Sequence, residues 1–146
     1  NTSNNYYFNT IYCIIQKYII KIQGNLLSLL FKNNLIKIEI EASEIPWLKI
    51  FTNKCIKEFS SCDKETKQEI WKYLDLIEKE MIIYFNPEKI NIASFGNYLP
   101  HVHFHIMARF KEDSFFPEPM WGKKQRETKL ELPSFEDFYE YLKKKF

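Results

Sequence analysis

The chain has 146 residues, 45% hydrophobic and 27% charged, with 21 Lys and Arg against 19 Asp and Glu for a formal net charge of +2. That length suits one domain with a proper core and excludes two comfortable ones. Near charge balance, with no dense basic patch interleaved with aromatics, argues against a nucleic-acid polymer as partner and leaves a small anionic ligand open.

From the N-terminus, Ile11, Ile14, Ile15, Tyr18, Ile19 and Ile22 recur at helical spacing. Their β-branched richness favours a strand instead. Gln16, Lys17 and Lys21 interrupt the run, which is too short and too polar to span a bilayer. Residues 1–29 are therefore expected to be an extension that packs on a domain at 30–146 or on a second subunit, not a membrane anchor. Cys13, Cys55 and Cys62 are odd in number and widely spaced, which suits reduced thiols in a cytoplasmic protein, and no secretory cleavage pattern is present. Without a Cys-x-x-Cys pair, a thiolate zinc site is not expected.

Leu35 to Glu41 alternates apolar and charged residues and reads as a strand with one wet face; Trp47 to Thr52 reads as a second. Asp63 is placed to cap a helix whose buried stripe is Ile70, Trp71, Leu74, Ile77 and Met81 and which stops at Asn86-Pro87. Lys89 to Phe95 reads as a strand, Gly96-Asn97 as a turn, and Pro100 to Phe110 as a strand. Ser134 opens a last helix with Phe135, Phe138, Tyr139 and Leu142 on one side and Lys143 to Lys145 at its C-terminal end. Hairpin strands plus one long and one terminal helix define an α+β antiparallel domain, with no βαβ alternation.

All three histidines, His101, His103 and His105, fall in the last of these strands, separated by apolar Val102 and Phe104. Alternation puts them on one face, roughly 7 Å apart, with Val102, Phe104 and Ile106 toward a core. Imidazole can be nucleophile, general acid or metal ligand near neutral pH, so this face is a catalytic or ligand-binding one.

The segment Asn91-Ile92-Ala93-Ser94-Phe95-Gly96-Asn97 followed by Pro100-His101-Val102-His103-Phe104-His105-Ile106-Met107 resembles the His-φ-His-φ-His-φ-φ motif of the histidine triad (HIT) family of nucleotide hydrolases and transferases. The likeness runs from about Leu30 to Gly122; Ile45-Pro46-Trp47-Leu48 and Phe116-Pro117-Glu118-Pro119-Met120-Trp121-Gly122 look like a bacterial branch. The resemblance implies a HIT-like antiparallel sheet, a homodimer on a shared sheet, and no cofactor.

It also implies roles. His103 would attack the α-phosphorus of a dinucleoside polyphosphate or nucleoside phosphoramidate to give a nucleotidyl-histidine that water hydrolyses. The carbonyl of His101 would fix its tautomer, His105 would bind an α-phosphate oxygen, and the His101 ring would organise the leaving-group side. Gly96 and Asn97 would approach the phosphate, Asn91 would contact the substrate, and Glu41, in competition with Glu39, would face the ribose hydroxyls. Trp121 would wall a nucleotide pocket, whereas Trp47 reads first as core. Tyr98 stands where many members have Ser or Thr, and Pro46 where many have a further histidine.

Two other readings stand beside this one. Alternating histidines also ligate metals, but the nearest acids, Glu112 and Asp113, lie past the strand, and no metal is expected. A nucleotide-binding module without turnover would use the same face.

Overall fold

The computed structural model describes residues 28–146; the expected helix or strand over Ile11 to Ile22 lies outside them. Five strands form one antiparallel sheet: β1 (Leu29–Lys32), β2 (Ile36–Ile40), β3 (Trp47–Thr52), β4 (Lys89–Ala93) and β5 (His103–Arg109), in the order β1-β2-β3-β5-β4. Helix α1 (Lys64–Phe85) crosses one face and α2 (Phe135–Lys143) packs near its end. Antiparallel α+β architecture is thus what the alternation in the sequence implied.

The strand alternation sorts side chains by face. Ile36 and Ile38 of β2, Leu48 and Ile50 of β3, and Phe104 and Ile106 of β5 join Ile70, Leu74, Ile77 and Met81 of α1 in the core. The Asp63 carboxylate caps α1 by accepting from the Thr66 amide at 2.7 Å, and Asn86, at φ 45°, closes it in the left-handed conformation that Asn tolerates. Ser134 caps α2 through the Asp137 amide, and Phe138, Tyr139 and Leu142 are buried as expected.

Three local readings differ. Trp71 is half-exposed, touching Phe59 and Phe104 only edge-on at 5.8 Å each, because it sits about 100° round the helix from the Ile70 row; Tyr73 is buried instead. Strand β1, with a bulge between Leu29 and Phe31, has no alternation to reveal it. Strands β4 and β5 are shorter than read, since pairing begins only at Ala93 with His105 and Phe51 with His103. Among the cysteines, Cys62 is a buried free thiol, whereas Cys55 is disulfide-bonded, against the expectation of reduced thiols. No described helix is long and apolar enough to cross a membrane.

Candidate active site

Strand β5 lies between β3 and β4 and is buried along its whole length. On the face away from α1 it presents His103, His105, Met107 and Arg109, beside Trp47, Lys49 and Phe51 of β3 and Asn91 and Ala93 of β4. The His103 and His105 ring centroids are 4.9 Å apart. His101 precedes the strand and is 1% exposed, so the row of three expected from alternation is a close pair with the third ring buried behind it.

Hydrogen bonds fix the tautomer of each ring. His103 Nδ1 lies 2.7 Å from the His101 carbonyl oxygen, which can only accept, so Nδ1 carries the proton and Nε2 a lone pair. Trp47 Nε1–H donates to His105 Nδ1 at 3.0 Å. An indole N–H cannot accept, so His105 Nδ1 is bare and its Nε2 carries the proton of the neutral ring. His101 Nε2 lies 2.7 Å from the Thr52 carbonyl oxygen and 3.0 Å from Thr52 Oγ1, which ties that nitrogen to β3. The pair therefore offers one nucleophilic lone pair beside one N–H donor.

Both rings are held neutral. Burial lowers the His103 pKa below its usual 6.5 and Lys49 lowers it further, against the opposing pull of the His101 carbonyl. For His105, burial, then His103 and Lys49, bring it down to about 4.

Aromatic rings enclose the pair. Phe51 stacks on His103 at 5.0 Å; Trp121 stands edge-on to His105 at 4.8 Å, to Trp47 at 5.2 Å and to Phe95 at 4.7 Å. Trp121 also borders a groove of about 220 Å³ lined by Ile92, Phe95, Met107 and Met120. The loop carrying Trp121 is held by a buried ion pair. The Asp113 carboxylate accepts from Arg109 Nε and Nη2 and from the amides of Phe110, Phe115 and Phe116, while Arg109 Nη2 also donates to the Glu118 carbonyl. Arg126 Nη1 bonds the carbonyls of Lys111, Asp113 and Phe116, and Glu44 accepts from Ser114.

The remaining sequence candidates fall as follows. Asn91 lines the groove and its Oδ1 accepts from Arg109 Nη1 at 3.0 Å. Asn97 is exposed on the loop after β4 and Tyr98 is almost fully exposed. Gly96 has no positive φ, and a Cβ there would make ordinary contacts with the Leu99 carbonyl at 3.5 Å and Pro100 Cα at 4.0 Å, so the backbone itself does not demand glycine. Glu41 forms an ion pair with Lys49, and Glu39 one with Lys37. Trp47, read as core, is the partner of His105; Ser94, not singled out, donates Oγ–H to the His103 carbonyl at 2.7 Å; Phe95 was likewise missed. Cross-strand register decides all three, and no local spacing carries it. Asp113, weighed as a metal ligand, is consumed by Arg109. Among the described residues no three His, Cys, Asp or Glu side chains are grouped to hold a metal ion.

An antiparallel sheet that sets a lone-pair imidazole beside a donor imidazole on an inner strand defines a histidine triad type of domain. The HIT domain family model matches residues 32–112, more than half of the chain, and the protein belongs to that family. No curated protein matches. Similar solved structures include a histidine triad protein from Bradyrhizobium japonicum, at 22% identity and TM-score 0.66 over 80% of this chain and 88% of that one. Another is from Marinobacter aquaeolei, at 24% identity and TM-score 0.62 over 80% and 83%. A hypothetical histidine triad nucleotide-binding protein from Sulfolobus tokodaii aligns at 16% identity and TM-score 0.52 over 86% and 84%. These likenesses concern the fold.

Proposed function

We propose that the protein binds a nucleoside phosphate with its α-phosphate at His103 and His105 and acts there as a hydrolase or transferase on dinucleoside polyphosphates or nucleoside phosphoramidates. The observation that carries this is the pair of opposite tautomers. The His103 Nε2 lone pair attacks phosphorus, the bond from phosphorus to the leaving group breaks, and that group departs with a proton taken from water. Water then cleaves the phosphorus–nitrogen bond and restores the ring. His105 Nε2–H donates to a nonbridging oxygen as charge develops on it. The His101 carbonyl holds the nucleophile's proton on the far nitrogen, and the buried His101 ring braces that carbonyl against β3.

Around this centre, Gly96 and Asn97 would close on the phosphate, Glu41 would face the ribose hydroxyls, and Trp121 would wall the pocket. Asn91 acts through Arg109 and borders the groove. A metal reading is disfavoured by lone pairs: His103 Nε2 has one, whereas His105 Nε2 carries a proton and His101 Nε2 donates to Thr52. The test is calorimetry with AMP and GMP, joined to turnover of a dinucleoside polyphosphate and a fluorogenic adenosine phosphoramidate after exhaustive chelation. Binding with chelator-resistant turnover is expected. Absence of binding at millimolar nucleotide sinks the reading, binding without turnover leaves a nucleotide-binding module, and turnover lost with a stoichiometric metal hands the site to metal chemistry.

The same reading includes a homodimer. Strand β4 is an outer strand of the sheet, and Ile92, Phe95 and Trp121 are substantially exposed beside it. An apolar strand edge of this kind invites pairing with a second copy. Light scattering is expected to give twice the 17.8 kDa chain mass, and Ile92→Glu to shift it to the single-chain value. A wild-type chain that stays monomeric at high micromolar concentration rules the dimer out.

A further inference from the structure

We propose that Lys49 is the cation that balances the phosphate charge at the histidine pair. This rests on the nucleotide reading above and goes beyond it by assigning the site's positive charge. Lys49 is the cross-strand partner of His105, and alternation places it on the site face between Trp47 and Phe51. Its side chain is 21% exposed and ion-paired with Glu41. The ammonium lies 5.7 Å from the Phe51 ring, the same ring on which His103 stacks.

The need for such a charge follows from the tautomers. Two neutral imidazoles provide one outward N–H and no positive charge, whereas a phosphate monoester at pH 8 carries nearly two negative charges. Other cations on this face are committed or distant. Arg109 is taken up by Asp113, Asn91 and the Glu118 carbonyl. Lys37 also reaches the Phe51 ring, at 4.9 Å, but it springs from β2, one strand further from β5, and pairs with Glu39, whereas Lys49 stands directly opposite His105; Lys89 is opposite Arg109 at the far end of β4. Glu41 keeps the Lys49 ammonium in place and neutralised while the site is empty. An arriving phosphate competes for it, which leaves the carboxylate oxygens available to ribose hydroxyls.

The test is calorimetry on the full chain at pH 8, where both histidines are neutral, with AMP and with adenosine as titrants. A charge-assisted contact to phosphate is worth roughly 1.5–3 kcal/mol, so Lys49→Met is expected to weaken AMP binding by about 10–150-fold. Adenosine affinity should move less than about twofold, and Lys49→Arg, which keeps the charge, should bind AMP nearly as wild type does. Thermal unfolding of each variant reports whether it is folded, and the neutral Lys49→Gln carries the comparison if Lys49→Met is not. If wild type binds AMP and Lys49→Met binds it equally, or loses AMP and adenosine together, the Lys49 assignment falls while the nucleotide reading stands. If wild type binds no AMP, the nucleotide reading itself has failed.

Discussion

Replacing His103 with alanine is expected to lower turnover of any nucleotide conjugate by at least about 10³-fold while changing AMP affinity by only a few-fold. The lost group acts through a bond made along the reaction path, so its removal strikes the transition state and largely spares the ground state. In wild type, a substrate quenched during turnover should leave an acid-labile, base-stable adduct on the peptide containing His103, as expected of a phosphorus–nitrogen bond to imidazole. An adduct on another residue, or near-normal turnover by His103→Ala, sinks the assignment.

The same experiment has a pH dimension with a definite sign. Only the neutral ring is a nucleophile, and burial, reinforced by Lys49, moves the His103 pKa below 6.5. Activity should therefore hold as pH falls through 6.5 and fail only on the acid side of it. The ionic groups around the ring are His105 on its own strand, Lys49 paired with Glu41, and Lys37 paired with Glu39 on β2. Lys49→Met should raise the limb, since it removes a positive charge that opposes protonation.

The second large effect is expected at Trp47. Trp47→Phe keeps an aromatic ring against both His105 and Trp121 but removes the N–H that keeps His105 Nδ1 bare. The imidazole can then carry its proton on either nitrogen, and the donor aimed at the phosphate is present only part of the time. Loss of the correct tautomer in a catalytic imidazole can cost as much as about 10⁴ in rate; a phosphate-binding donor should cost less, about 10²-fold in kcat. Nitrogen NMR of labelled histidine distinguishes this from simple damage: His105 should show a protonated Nε2 in wild type and a mixed signal in the variant. An unchanged His105 spectrum alongside lost activity would mean that Trp47 acts through packing alone.

Much of this frame could be read from spacing because the relevant physics is local. Alternation in Ile36–Ile40 marks a half-buried strand and alternation around the histidines separates a ring face from a core face, while Asp63 and Ser134 mark helix starts by an interaction only three residues long. Features that resist reading depend on partners far away in the chain. The Trp47–His105 bond spans 58 residues and the Glu44–Ser114 bond 70, so each needs the register of the sheet before it can be seen. Asp113 shows the opposite difficulty. It is only four residues from Arg109, yet nothing in the spacing tells a buried ion pair at a strand end from a carboxylate free to ligate.

That ion pair also bears on how a ligand meets the site. Arg109 and Asp113 are 2% and 0% exposed at the side chain, and removing one partner of such a pair typically costs about 3–5 kcal/mol because the other charge stays buried. The stretch from Phe110 to Glu118 that leads to Trp121 is therefore anchored to the interior, although much of its surface faces water. On the proposed reading, a nucleotide arriving at His105 would find its aromatic wall already standing, with little chain entropy lost in raising it. Complex formation should then run at a rate set by diffusion and charge, with no slow closing phase to wait for.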